Sequence, residues 1–394
     1  MTDLTERAAK LDAEDPLAYL RGEFDLDPAV VYLDGNSLGA PPRRVAGRVE
    51  EVVREQWGRR LIRSWPESWW TAPERVGEKI APLVGAAPGQ VVVADSTSVN
   101  IFKALVGAVR LSPGRREIVV DAATFPTDGY IAESVAELTG TVLRPVVVDE
   151  LDEVLSEQTA VVLLNHVDYK TGRLYDMAGL TARVHSAGAR VVWDLCHSAG
   201  VLPIELDDLG VDLAVGCTYK FLNGGPGSPA FIYVPSGLQE SFRQPLSGWG
   251  GHRDPFAMAE KYEPAPGIAR ARAGTPDILS LLALEAALEV WEGVELKDVR
   301  AKGLSLTGFF IQCVDELLAD AVEVVTPRDE NRGHQASLRH PDAGALVAEL
   351  TAREVIGDFR TPDVLRFGFA PLYNRHTDAL RAAQSLTDVL AAGR

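Results

Sequence analysis

The feature that most limits the fold is an alternation running from about residue 91 to 234. Short β-rich runs ("QVVVAD", "REIVVDA", "TVLRPVVVD", "TAVVLLNHV", "ARVVWDL", "DLAVGCT" and "PAFIYV") take turns with helical patterns such as "SVNIFKALVGAVRL", "TDGYIAESVAELTG" and "MAGLTARVHSAG". Strands that are apolar along their whole length must be covered on both faces. This predicts an α/β fold with a mostly parallel sheet sandwiched by helices. Ligands on such a sheet gather at the loops beyond the strand carboxyl ends.

From about residue 293 the pattern changes. A helix through "LTGFFIQCVDELLA" leads to strand-like "VEVVTP" and "GHQASLRH", helix "DAGALVAELTAREV", strand "VLRFGFA" and a last helix from about Thr377. The first fifty residues show turn signals ("LDGNSLGAPP") in place of a core pattern. Three parts are therefore expected: an arm over 1–50 packing on both lobes, a large domain over 51–292, and a smaller α+β domain over 293–394.

Several strand ends carry reactive groups. "VVWDLCHSAG" sets Asp194 and His197 past one strand, and "VGCTYKFLNGGPG" sets Tyr219 and Lys220 past the next. "DAATFPTDGY" puts Thr127 and Asp128 past a third, while "DSTSVNIF" places Ser96, Thr97 and Ser98 at a helix start that can offer N–H groups to an anion. Lysine makes up only 8 of the 39 basic residues, and Lys220 alone stands between an apolar run and a glycine-rich loop. Singly, each feature has a plain reading: a capping acid, an ordinary N-cap, a core histidine, a solvated lysine. Together, in this order, an amine, a carboxylate and a phosphate-ready helix start fit pyridoxal 5'-phosphate. The lysine binds the aldehyde and the acid keeps the pyridine nitrogen protonated.

Charge and cysteine usage narrow the partners. A net charge of -17 repels nucleic-acid phosphates and anionic lipid, so neither is an expected partner. No apolar run is long enough to span a bilayer, and the polar N-terminus does not read as a targeting segment. Cys196, Cys217 and Cys313 lack metal-ligand spacing and read as reduced thiols, so no metal is expected and a cytoplasmic setting is.

"VYLDGNSLG", "FPTD", "WDLCHSAG", "GCTYKFLNGGPG", "GWGGH" with "PFAM", and "APLYN" together resemble the kynureninases, fold-type-I pyridoxal-phosphate enzymes related to class V aminotransferases and cysteine desulfurases. The resemblance runs from about Tyr32 to Asn374. It implies hydrolysis of L-kynurenine to anthranilate and L-alanine, in tryptophan and NAD metabolism, with 3-hydroxykynurenine as a further possible substrate. Lys220 is then the Schiff-base lysine, Asp194 the partner of the pyridine nitrogen and Tyr219 a proton shuttle near the phosphate. Thr97, Ser98, Phe125, Thr127, Asp128 and His197 contact the cofactor. Trp249 and Thr275 reach the phosphate of the neighbouring subunit of a homodimer. Arg366, with Ser37, takes the substrate's α-carboxylate. Trp65 supplies an apolar wall for the aryl ring, and threonine at 275 agrees with a preference for unhydroxylated kynurenine.

Arg366 also stands out without the resemblance. A guanidinium in the apolar strand "VLRFGFA" needs a planar anionic partner, either a ligand carboxylate or an acid of the protein itself. The four tryptophans of "WGRRLIRSWPESWW" read first as core, two or three of them at least, with an apolar stacking wall as the other reading. A desulfurase needs a thiolate on a mobile loop, whereas Cys313 sits in the apolar run "FFIQCVDELL". A non-catalytic binding protein would not need Lys220, Asp194 and Arg366 together.

Overall fold

The computed structural model describes residues 2–392. Its centre is a seven-stranded sheet: β1 (Val91–Val93), β2 (Glu117–Asp121), β3 (Val142–Val146), β4 (Thr159–Asn165), β5 (Arg190–Asp194), β6 (Leu213–Gly216) and β7 (Phe231–Tyr233). The spatial order is β1-β7-β6-β5-β4-β2-β3. Strands β2 to β6 pair in parallel, and β7 runs antiparallel to both β6 and β1.

Alternation along the strands explains the continuous apolar runs. Val92, Val120, Val161, Leu163, Val192 and Val215 face one cluster, which includes Ile101, Leu105, Ala132 and Val135. Those four come from helices α1 (Thr97–Leu111) and α2 (Pro126–Thr139). Val91, Val93, Val119, Val162, Leu164 and Trp193 face a second cluster on the opposite side, with Leu180 and Val184 of α3 (Met177–Ser186). Both faces are covered, so the inner positions of the strands are apolar and polar residues stand only at the ends of β2, β4 and β5. The exception is β3, an edge strand with Leu143 half-buried and Arg144 and Pro145 exposed. Proline is tolerated there because no further strand needs its N–H.

A third cluster joins the chain's two ends. Leu4, Ala8, Val31 and Leu33 pack with Phe310, Val314, Leu338, Leu365, Phe367 and Leu386. The framework of this part is helix α4 (Leu296–Leu318), helix α5 (His376–Ala392) and a four-stranded antiparallel sheet. The sheet is β8 (Glu323–Val324), β9 (Gln335–Arg339), β10 (Asp358–Arg360) and β11 (Val364–Gly368), in the order β10-β11-β9-β8.

The first fifty residues hold more regular structure than their turn signals suggested. Thr2–Ala13 and Arg43–Glu51 are helical, and Val31–Tyr32 pairs in parallel with Val355–Ile356. Their apolar residues are split between two cores: Leu17, Leu20 and Phe24 join the sheet cluster while Leu4 and Val31 join the third. That division is why no single periodic stripe shows in the sequence.

Candidate active site

The register of the large sheet brings the strand-end residues together. Asn165 lies opposite Asp194, and Asp194 opposite Val215, so the chain leaves three neighbouring strands at one edge. Beyond that edge lies a cavity of about 270 Å³. Thr97, Ser98, Phe125, Thr127 and Asp128 line it from α1 and the start of α2, and Asp194, His197, Tyr219 and Lys220 from the strand ends.

Asp194 is buried at the last position of β5, where Oδ1 accepts the Cys196 backbone N–H at 2.6 Å. Asn165 Nδ2 donates to Asp194 Oδ2 at 3.3 Å and to Asp128 Oδ2 at 2.9 Å. Burial, reinforced by the negative charge of Asp194, pushes the Asp128 carboxyl well above the usual carboxylate range. Two buried carboxylates this close cannot both ionise freely, so Asp128 carries the proton. His197 is held neutral. Burial and the charges of Lys220, Arg366 and Arg360 push its pKa well below the ordinary value.

Lys220 is placed by two loops. Gly39 N–H donates to the Tyr219 carbonyl at 2.8 Å, and a Cβ added at Gly39 would stand 2.1 Å from the Lys220 carbonyl oxygen. Asn223 adopts a left-handed conformation (φ 59°), and its amide donates to the Ala40 carbonyl at 2.9 Å. The "DGNSLG" and "YKFLNGG" segments are therefore one interlocked unit. The Lys220 ammonium lies 5.8 Å from the centre of the Tyr219 ring. Burial raises the Tyr219 phenol pKa, with smaller contributions from Cys217, Cys196 and Asp194.

The start of α1 is shaped as an anion cradle. Ser96 caps the helix by accepting the Val99 N–H at 3.4 Å, while Asp95 takes a left-handed φ of 54° just before it. The fully buried Lys103, one and a half turns into the helix, binds Asp95, Asn100 Oδ1 at 3.1 Å and the Ala271 carbonyl at 2.9 Å. A second cavity, of about 450 Å³, shares Thr97 and Tyr219 with the first and is also lined by Thr275.

Arg366 and Ser37 meet beside this site. Arg366 Nη2 donates to Ser37 Oγ at 3.1 Å, and Nη1 to the carbonyl of Tyr169, a residue that lines the Lys220 cavity. Its Nε–Nη2 edge is closed on Asp358, with Nε 2.7 Å from Oδ1. Trp65 and Trp249 line neither cavity. They stand together, ring centres 6.4 Å apart, with Trp70 4.9 Å and Phe256 6.0 Å from Trp249.

Asn165, Tyr169 and Cys196 line the cavity without having been singled out in the sequence. For Asn165 a signal existed: it is the one polar residue closing the apolar run "AVVLLN" at a strand carboxyl end. Asp358 gave less, sitting in a three-residue strand too short to show a period.

Comparison with known proteins agrees with this geometry. Residues 299–386 match the model of the kynureninase C-terminal domain. Kynureninase of Deinococcus radiodurans is 51% identical over 389 residues, covering 96% of this chain and 95% of that protein. The Burkholderia pseudomallei enzyme is 47% identical over 395 residues, covering 98% and 95%. Among solved structures, the cysteine desulfurase of Thermococcus onnurineus superposes with a TM-score of 0.82 at 18% identity, over 95% of this chain and 98% of that one. The cystine C–S lyase C-DES superposes with a TM-score of 0.80 at 18% identity, over 91% and 97%. These two share the fold; the identity and coverage of the first two decide the lineage, and the chain belongs to the kynureninase family.

Proposed function

We propose that this protein hydrolyses L-kynurenine between Cβ and Cγ, releasing anthranilate and L-alanine, with pyridoxal 5'-phosphate as cofactor. The observation that carries the reading is the meeting of Lys220, Asp194 and the α1 helix start around one cavity, in a chain of this family. The donor set fits the cofactor. Asp128 and Asp194 together present about one negative charge, the complement of a protonated pyridine nitrogen. The first N–H groups of α1, with the Thr97 and Ser98 hydroxyls, suit a phosphate.

When bound, the cofactor supplies an aldehyde that condenses with amines and a pyridinium ring that accepts electron density from the bonds being broken. The chain's own groups do the rest. Asp194, fixed by the Cys196 N–H and the Asn165 amide, holds the charge that keeps the ring nitrogen protonated. Lys220 is the residue that would hold the cofactor through its aldehyde, and its amine would be the group that accepts the proton from the substrate's α-carbon. Tyr219, protonated at neutral pH and next in sequence, passes protons to the carbon chain. His197, kept neutral, would lie beside the cofactor without adding charge. Arg366 and Ser37 take the α-carboxylate.

The active form is read as a homodimer. Trp65, Trp249 and Thr275 do not line the Lys220 cavity of their own chain, Thr275 lining the adjoining one, and the resemblance assigns Trp249 and Thr275 to the phosphate of the neighbouring subunit. The division into an arm over 1–50, a large domain over 51–292 and a small domain over 293–394 is supported by the third cluster's membership. A cytoplasmic setting is consistent with three free cysteines; among the described residues no helix is long and apolar enough to cross a membrane.

The test is anthranilate fluorescence from purified protein given kynurenine and pyridoxal 5'-phosphate, with Lys220→Ala alongside. Release by the wild type and none by the variant is expected. Equal release by both overturns the role of Lys220.

A further inference from the structure

The carboxylate site poses a problem of capacity. Arg366 is 1% exposed, and most of its five N–H groups are already engaged. Nε and Nη2 bind the two oxygens of Asp358, Nη2 also reaches Ser37 Oγ, and Nη1 donates to the Tyr169 carbonyl. What remains cannot form the two parallel bonds by which a guanidinium normally grips a carboxylate.

A second guanidinium adjoins it. In the β10–β11 ladder Asp358 stands directly opposite Arg366, and Arg360, two residues on, projects from the same face of its strand. Arg360 Nη2 lies 2.8 Å from Asp358 Oδ2 and 3.5 Å from Ser37 Oγ. Its Nε is buried with no hydrogen-bond partner. Two cations thus share one carboxylate. Asp34, the other acid at this spot, has a buried Oδ1 without a partner, and burial next to Asp358 raises its pKa to about 7. A half-buried cluster with an unpaired guanidinium N–H and surplus positive charge is completed by an added anion.

We propose that Arg360 is a second binding residue for the substrate's α-carboxylate, acting beside Arg366, and that Asp358 is the shared counterion that positions both guanidinium groups. The inference rests on the function proposed above, because it takes the anion to be an amino-acid carboxylate. Asp358 stays ionised for this purpose. Burial opposes its charge, but the Arg366 fork and the Ser37 hydroxyl outweigh burial and hold its carboxyl below the usual range.

The test compares wild type, Arg360→Gln and Arg360→Lys, each loaded with cofactor. Arg360→Gln is expected to raise KM for kynurenine at least tenfold while kcat stays within about threefold, since the lost contact lies away from the breaking bond. Arg360→Lys, which keeps the charge, is expected to fall between the two, and it carries the comparison if the glutamine variant does not fold. Binding of the decarboxylated amine of kynurenine, followed by cofactor absorbance, is expected to be the same in all three proteins. An unchanged KM in the variants overturns the proposal, as does an equal loss for the decarboxylated ligand. If the wild type releases no anthranilate, the proposed function fails. Absorbance titration with kynurenine against its decarboxylated amine then still decides the role of Arg360.

Discussion

Asp128 and Asp194 share one amide: Asn165 Nδ2 donates to Asp128 Oδ2 at 2.9 Å and to Asp194 Oδ2 at 3.3 Å. Both carboxylates are buried, yet their environments differ. Asp194 also accepts a backbone N–H, while Asp128 is pushed up by burial and by its neighbour's charge. The pair therefore divides the work, with Asp128 the member whose environment favours the proton.

That division separates two substitutions that look alike. Asp128→Asn keeps a neutral donor beside Asp194, so kcat/KM is expected to stay within about tenfold of wild type. Asp194→Asn removes the charge proposed to face the ring nitrogen and is expected to lower kcat by about a thousandfold. Steady-state kinetics on both variants checks this, and equal losses would show that the proton is not on Asp128. Stability has a sign as well. The folded state holds the Asp128 proton that an unfolded carboxyl releases above about pH 4, so cofactor-free protein loses up to about 1.4 kcal/mol per pH unit as pH rises from there. Asp128→Asn should remove this slope in urea denaturation.

Asp34 is expected to give a pH dependence to substrate binding. Its pKa is raised to about 7, by burial first and then by Asp358, against the opposing pull of Ser37, Arg366 and Arg360. The phenols of Tyr32 and Tyr373 also face it and stay protonated in this range. Below pH 7 Asp34 is neutral and the Arg360–Asp358–Arg366 cluster keeps one surplus positive charge. Above pH 7 it ionises and cancels that charge. KM for kynurenine is therefore expected to rise about three- to tenfold as pH climbs through 7, and Asp34→Asn should flatten the profile at the low value. A KM that falls over this range contradicts the placement of the substrate carboxylate.

Gly39 tests the interlock around Lys220. A methyl group there meets the Lys220 carbonyl at 2.1 Å and the Asn223 amide at 2.5 Å. Backbone on one side and a tied amide on the other cannot both yield, so Gly39→Ala is expected to cost about 1–3 kcal/mol in stability. It should also lower kcat by displacing Lys220. Thermal unfolding and turnover of the same sample check both effects; a neutral variant would mean the loops separate in solution.

Those loops also show what a sequence discloses. Asp194 and Lys220 were legible because each ends an apolar run, and parallel strands place successive ends side by side. The link between "DGNSLG" and "YKFLNGG" was not legible as a contact, since it spans about 180 residues through backbone groups of ordinary chemistry. Arg366 announced a need for an anion but not its identity, and Asp358 meets it across a hairpin whose strand shows no period. Nor could spacing reveal that Trp65 and Trp249 meet edge to face, because that contact depends on two irregular segments far apart in the chain.

The wall proposed for the aryl ring makes substrate choice depend on this aromatic cluster. Kynurenine and 3-hydroxykynurenine differ by one ring hydroxyl, and a wall built from Trp65, with Trp69 5.4 Å and Trp249 6.4 Å from it, offers that hydroxyl no dedicated acceptor. Burying it unpaired costs about 1–3 kcal/mol. The wild type is therefore expected to favour kynurenine by about ten- to a hundredfold in kcat/KM, the usual scale for rejecting an added hydroxyl. Trp65→His with Thr275→Asn gives the phenol two hydrogen-bonding neighbours and should narrow or reverse the ratio. The readout is the ratio between the two substrates, measured on wild type and double variant of matched oligomeric mass. A wild type that already prefers 3-hydroxykynurenine would remove Trp65 from the wall, and the aryl pocket would have to be built from other residues.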